Sequence, residues 1–218
     1  MKIVEPFARI LWSPNGDDLM RRVERAARTC TATQENIGES TAPNEQFIRK
    51  LIQRGHFSPL EHASLTVELI TSRAVMAELT RHRMSSPLVQ SQRYVSASTD
   101  EGVAFIRPWF VPEEPGNPLY ELWYDACLSC EYAYKNLLYY GATKEQARSV
   151  LTNDVATTIS LCANVREWRH ILSLRCARPA FPPMRSLMTE VLLQFMDVCP
   201  VFFEDIAEQI RSLKGEGT

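Results

Sequence analysis

Glycine is scarce in this chain, with eight residues in 218. None falls in a G-x-G-x-x-G or G-x-x-x-x-G-K-[ST] pattern, which excludes the glycine turn of a dinucleotide-binding fold and the P-loop. Any nucleotide bound here must have its phosphates held by side chains. G-x-S-x-G and H-E-x-x-H are also missing, so neither a hydrolase elbow nor a helical zinc-protease site is encoded. No apolar run reaches bilayer-spanning length. The start, MKIVEPFARILW, lacks a signal-peptide core and cleavage site, which predicts a cytoplasmic protein. Neither sign of charge dominates: 24 Lys and Arg face 26 Asp and Glu, for a net charge of −2. That excludes a basic coat for nucleic acid and confines any anion site to a local cluster. Six cysteines include one C-x-x-C, Cys127 and Cys130, but no second pair accompanies it. It sits in a helix-periodic stretch, so buried thiols in a reducing compartment are expected, not a zinc site.

The remaining sequence is that of an ordinary globular protein, 45% apolar and 23% charged, long enough to bury a substantial core. Residues 2–12 read as a strand ending at the turn Ser13-Pro14-Asn15-Gly16. Asp17 and Asp18 open a helix to about Thr29. Residues 43–55 read as a second helix, started by Pro43 and stopped by Gly55. Residues 63–71 alternate like a strand, and 72–84 read as a short helix followed by a loop at Pro87. Residues 92–97 and 103–107 read as strands joined by Asp100-Glu101-Gly102. A long helix spans about 118–140, and Thr143 to Gln146 forms a capping box for the next, which carries Arg148. Residues 155–162 are β-branched and apolar. A helix follows from about 165, and two closing helices flank Pro200. Strands and helices mix without strict alternation. The expectation is an α+β fold, with a mixed or antiparallel central sheet, flanking helices and a single domain over 1–218.

The densest chemistry lies in RHRMSSPLVQSQRY, residues 81–94. On a helix through 84, Glu78, Arg81, His82 and Ser85 share one face and Arg83 lies on another. The two arginines would then serve different anions, as a site joining two ligands requires. Arginine suits phosphate because its planar fork donates two parallel hydrogen bonds. The plain alternative is a solvated helix end; Ser91, Gln92, Arg93 and Tyr94 close behind argue against it. Ser91 has no local acid–histidine pair to activate it, so it reads as a ligand contact and not a nucleophile.

Two further segments stand out. GHFSPLEH (55–62) gathers His56, Glu61 and His62, but the Pro59 turn gives them no regular metal-ligand spacing, so no metal is expected. In ANVREWRHILSLR, Asn164, Arg166 and His170 cluster at a helix start with Arg175 two to three turns on. Glu167 and Arg169 read as a solvated face. A nucleotide-holding but silent protein, or an RNA-binding one, is the competing class. The charge balance and the lack of an RNP-like aromatic pattern argue against RNA.

These residues carry a resemblance. Arg81-His82-Arg83, seven residues and then Ser91, together with Arg93-Tyr94, GHFSPLEH at 55–62, FIRP at 105–108, AR-x-VL at 147–151 and N-x-R…LR at 164–175, resemble the flavin-dependent thymidylate synthases over nearly the whole chain. The resemblance implies an FAD-containing homotetramer, with active sites shared between subunits, that makes dTMP from dUMP. Methylenetetrahydrofolate would give the carbon and NADPH would reduce the flavin. It implies FAD contacts at Ser58, Arg81, His82, Arg83, Val89, Asn164, Val165, Arg166 and His170, with His56 near the folate. It implies dUMP contacts at Glu78, Leu79, Thr80, Arg81, Val89, Gln90, Ser91, Gln92, Arg93 and Arg148, and Arg175 against the uracil ring as the catalytic residue. An arginine there would stabilise charge on the ring while C5 attacks, so no protein nucleophile is needed. Val89, Pro87 and Thr152 depart from the family pattern; at 89 only the backbone could serve.

Overall fold

In a computed structural model, which describes residues 1–34, 45–99 and 101–215, the chain is α+β as expected. It falls into two compact units. One comprises Met1–Phe7, Leu69–Arg81 and Leu88–Ser160; the other comprises Ala8–Glu68, His82–Pro87 and Leu161–Thr218. A four-stranded sheet has the order β2 (Phe7–Trp12), β3 (Ser64–Ser72), β7 (Ala156–Asn164), β4 (Ser86–Val89). Both unit boundaries at this sheet's centre fall inside β3 and β7. These two strands bury alternate residues along their length; alternation marks β3 as a strand in the sequence, whereas β7 is marked there only by its β-branched apolar run.

The first unit holds a three-stranded sheet of order β1 (Lys2–Val4), β6 (Gly102–Ile106), β5 (Ser98–Thr99). β1 runs parallel to β6, pairing Ile3 with Phe105, and β5 runs antiparallel to it. The sheet is therefore mixed. The long helix α4 (Pro118–Tyr139) starts at Asn117, whose side chain accepts from the Leu119 amide, with Pro118 in the first turn. It packs Cys127, Cys130 and Tyr134 with Val103, Phe105, Ala147 and Val155 into one buried cluster. The two thiols are buried and unpaired as disulfides, and burial pushes the Cys127 thiol up to about 12, so the C-x-x-C is core and not a reactive pair. The capping box at Thr143 and Gln146 forms as read, but α5 is only Lys144–Ala147, and Arg148 opens a 3-10 turn beyond it.

The second unit is mostly helical: α1 (Gly16–Thr29), α2 (Glu45–Gln53), α6 (Val165–Arg175), α7 (Pro182–Val198) and α8 (Glu204–Gly215). Asn15, not Asp17, caps α1, its side chain accepting from the amides of Asp17 and Asp18. Trp168 is fully buried, stands edge-on to Phe195 and donates its indole N–H to the Leu65 carbonyl at 3.0 Å. Removing such a ring costs about 3–5 kcal/mol. β2 is an edge strand, and α7 covers it: the amides of Ala8 and Ile10 donate to the side chains of Glu190 and Gln194.

Four readings are corrected. The strand expected over 2–12 breaks at Glu5-Pro6 into β1 and β2, because proline cannot donate to a ladder. The helix expected over 72–84 is α3 (Arg73–Leu79), capped by Ser72 and closed at Thr80, whose hydroxyl donates back to the Met76 carbonyl. The strand expected over 92–97 is a turn: the Arg93 amide donates to Ser91 Oγ and the Val95 amide to the Ser91 carbonyl, so the serine folds the backbone on itself. Pro87 lies within β4, at the sheet's edge, instead of in a loop. Pro43 and Asp100 lie outside the described residues.

Candidate functional site

Because α3 stops at Leu79, the shared helical face proposed for Glu78, Arg81, His82 and Ser85 does not exist. The sorting of the motif is achieved differently. Arg81 and Arg83 are exposed while His82 between them is buried, and Ser85 turns back to donate to the His82 carbonyl at 2.6 Å. Arg81 belongs to the first unit, and His82 and Arg83 belong to the second.

Within the second unit a cavity of about 580 Å³ is lined by Phe57, Glu61, Met84, Asn164, Arg166, Glu167, Arg169, His170 and Ser173. Its residues converge from the turn Ser58–His62, the segment after His82 and the first turns of α6. Asn164 caps α6 by accepting the Glu167 amide at 2.9 Å, so its amide NH₂ is the group left to offer a ligand. Arg166 is half-exposed and holds Glu61 at 2.5 Å. An exposed pair of this kind is worth about 0–1 kcal/mol, little enough for an incoming phosphate to displace. Arg169 and Glu167 do not form a solvated face. Arg169 is buried, forks onto the Asp205 carboxylate, donates to the Phe202 carbonyl and lies over the Phe57 ring. It is a structural arginine, recognisable only from Asp205 far along the chain.

At the back of this region His82, His170, Glu167 and Arg175 meet. His82 Nε2 accepts from Arg175 Nε at 3.0 Å, its Nδ1 lies 3.6 Å from Glu167 Oε1, and its ring stands edge-on to that of His170. Burial first, then the charge of Arg175 and the neighbouring His170, push the His82 pKa down to about 4, so the ring is neutral at pH 7. His56, Glu61 and His62 are all exposed, and among the described residues they form no group with metal-ligand geometry.

A second cavity, of about 270 Å³, lies within the first unit. Gln90, Ser91 and Gln92 line it together with Arg73, Thr157 and Thr158. Gln92 Nε2 is buried with no hydrogen-bond partner, an unmet donor on a residue that lines this space. Arg73 donates to Thr157 Oγ1 at 3.3 Å, and its pKa is lowered by burial and by the charge of Arg148. Arginine is suited to holding an anion, and Arg73 shares the lining of this cavity with the carboxylate of Glu5. Among the described residues, no histidine or cysteine lines this cavity. Ser91 Oγ accepts the Arg93 amide and, among the described residues, no side-chain base hydrogen-bonds it, which argues against a nucleophile although Glu5 lines the same cavity. Arg93 is exposed and paired with Glu145, and Val89 precedes the cavity on β4. Leu79 and Val165 are fully buried, so their side chains belong to the core and only their backbones can meet a ligand. Arg73 escaped the sequence reading because it lies eight positions ahead of the motif, in a strand-to-helix turn with nothing local to mark it.

Comparison with known proteins gives the family. Residues 15–201 match the family model described as thymidylate synthase complementing protein. A flavin-dependent thymidylate synthase from Mycolicibacterium vanbaalenii is 34% identical over 210 residues, spanning 89% of this chain and 82% of that one. The corresponding protein of Geobacter sulfurreducens is 37% identical over 190 residues, spanning 84% and 80%. The chain belongs to the flavin-dependent thymidylate synthase family. The family's members are methyltransferase enzymes, and the model superposes on a solved UMP/dUMP methylase, PolB from Streptomyces cacaoi bound with 5-Br dUMP. The TM-score is 0.79 at 25% identity, covering 95% of this chain and 97% of that one. Among the described residues no helix is long and apolar enough to cross a membrane.

Proposed function

We propose that this flavin-dependent thymidylate synthase homologue converts dUMP to dTMP by reductive methylation, with methylenetetrahydrofolate as carbon donor and NADPH as reductant of a bound FAD. The observation that carries the reading is the second cavity: an unmet buried amide at Gln92 beside Ser91, with Arg73 and Arg148 repelling one another at its side. A nucleotide monophosphate supplies both the acceptor for the amide and the negative charge that relieves the repulsion. Glu78, Thr80, Arg81, Gln90 and Arg93, with the backbone of Leu79 and Val89, would complete the nucleotide site.

The first cavity suits the flavin cofactor. Its volume lies within the roughly 300–1,000 Å³ usual for cofactor sites, and its lining pairs apolar Phe57 and Met84 with the donors of Asn164, Arg166 and His170. Ser58, Arg81, His82 and Arg83, with the backbone of Val89 and Val165, would add contacts, and His56 would lie near the folate. When bound, FAD supplies the hydride that completes the methyl group. The chain's own residues then have three tasks: to bind the phosphate, to hold the pyrimidine, and to stabilise negative charge on the ring as C5 attacks carbon. Arg175 takes the last task, as a fixed cation opposite the pyrimidine in a cytoplasmic homotetramer whose sites are shared between subunits. Neither Ser91 nor any cysteine is required as a nucleophile, and no nucleic acid or membrane is a partner.

The test is direct. Purified protein should carry flavin absorbance that dUMP perturbs, and it should form dTMP from dUMP, methylenetetrahydrofolate and NADPH. Protein without flavin that forms no dTMP after FAD addition overturns the reading. The similarity to a UMP/dUMP methylase gives a narrower alternative, UMP as substrate, which a comparison of UMP and dUMP turnover decides.

A further inference from the structure

The cluster around His82 has the residue types of a metal site. The donor atoms of His82, Glu167 and His170 lie within 4.8 Å of one another. Hydrogen-bond chemistry assigns it otherwise. An arginine side chain only donates. The 3.0 Å contact from Arg175 Nε therefore requires a lone pair on His82 Nε2, and a neutral imidazole with its lone pair there carries its proton on Nδ1. Nδ1 is the atom that faces Glu167, at 3.6 Å. A metal held by His82 Nδ1 and Glu167 would need that nitrogen unprotonated, which the arginine contact forbids.

We infer that Glu167 and His82 are positioning residues that aim Arg175: the carboxylate fixes the proton on Nδ1, and the ring then presents Nε2 to hold the guanidinium by its Nε. At 3.6 Å the carboxylate lies beyond hydrogen-bond length, and it acts by charge: the proton-bearing edge of the ring faces a negative group. The side chains involved are shielded, His82 6% and Glu167 12% exposed, so this bias is weakly screened. An arginine held through Nε has its plane fixed, and the plane decides where its two-pronged fork can bond. His170, edge-on to His82 at 5.8 Å between ring centres, limits how far that ring can tilt. Nothing in the sequence motif announces Glu167, which occupies the third position of α6 and reads as a surface glutamate.

The inference rests on the role proposed above for Arg175, and the experiment separates the two. Histidine-selective ¹⁵N NMR on the FAD-loaded enzyme at pH 7 should find His82 neutral with its proton on Nδ1. Glu167→Ala should shift it toward the other tautomer, while Glu167→Gln, which still offers an acceptor, should shift it less. In turnover, Glu167→Ala should lower kcat about tenfold with KM for dUMP and flavin content nearly unchanged, the loss expected of a misaimed group. His82→Gln, which can place an acceptor oxygen near the Nε2 position, should keep more activity than His82→Ala. A proton on Nε2 in the wild type overturns the relay, as does wild-type kcat in Glu167→Ala alongside an inactive Arg175→Ala. Wild-type turnover in Arg175→Ala instead overturns the role of Arg175 itself, and the relay's purpose with it.

Discussion

Arg73 and Arg148 set their positive charges against each other beside the cavity that Ser91 and Gln92 line, and the repulsion, added to burial, lowers the pKa of Arg73. Two such charges are unfavourable together until an anion arrives, which supports the nucleotide site proposed above. Arg73→Gln should raise KM for the nucleotide by about tenfold or more, the worth of one charge-assisted contact, with a smaller fall in kcat. Without nucleotide, its melting temperature should equal or exceed that of the wild type. Inorganic phosphate should stabilise the wild type in a thermal-shift assay and stabilise Arg73→Gln less. An unchanged KM and an unchanged phosphate response would remove Arg73 from the site.

How much of this was legible in advance depends on the range over which each signal acts. The alternation of β3, the capping box at Thr143 and the long periodicity of α4 are local, and each is legible in the sequence. The end of α3 was misjudged because the apolar pattern runs on through Met84, while the stop comes from the Thr80 hydroxyl bonding backwards. The turn at 92–97 carries strand-like residues, yet Ser91 folds it through two backbone amides. At the site, the motif pointed to Ser91, Gln92, His82 and the α6 arginines. It could not show that Arg73 joins the first group, or that Glu167 is drawn inward while Arg169 is tied to Asp205. Those are tertiary facts, set by partners far away in sequence.

Gly102 is needed for two independent reasons. Its φ of +99° is a conformation other residues rarely adopt, and a Cβ there would lie 2.5 Å from Glu131 Oε1. Glu131 is itself buried. Burial alone would raise its pKa, but hydrogen bonds from Lys135, the amino terminus and the Val103 amide bring it down to about 2. Its ion pairs to Met1 and Lys135 are both 2.6 Å. Gly102→Ala should destabilise the protein by about 2 kcal/mol or more, combining strain with the lost carboxylate contacts. Glu131→Gln should do so by about 2–4 kcal/mol at pH 7. Because the folded pKa is depressed, the Glu131 contribution is present above about pH 4.5. It is lost as pH falls toward 2, so wild type and Glu131→Gln should converge in acid. Equal stability of the two at pH 7, by urea unfolding, would contradict this account.

His82 should leave an imprint of the same sign at higher pH. Its pKa is about 4 in the folded protein against 6.5 unfolded, with burial first and then Arg175 and His170 disfavouring the cation, and Glu167 an acid that faces it. Between those values the unfolded chain binds the extra proton, so stability rises with pH through the window and is complete above about 6.5. The contribution lost on acidification to pH 4 is on the order of 2–3 kcal/mol. Denaturant unfolding at pH 7 and pH 4.5 should show a smaller pH-dependent difference for His82→Gln than for the wild type. Identical differences would mean that His82 is not held neutral.

Ser91 tests whether the cavity's hydroxyl reacts or merely binds. Its Oγ accepts the Arg93 amide at 3.3 Å, and among the described residues no histidine or cysteine lines the cavity, although Glu5 does. No side-chain base among the described residues hydrogen-bonds this hydroxyl, so its role is to donate to a ligand or shape the turn. Ser91→Ala should therefore keep measurable turnover, lowered about ten- to a hundredfold with a raised KM for dUMP, because one hydrogen bond and some order in the turn are lost. Ser91→Cys should trap no covalent nucleotide detectable by mass spectrometry. A Ser91→Ala enzyme that binds dUMP normally, keeps its flavin and makes no dTMP at all would restore the serine as a nucleophile and displace Arg175 from the centre of the chemistry.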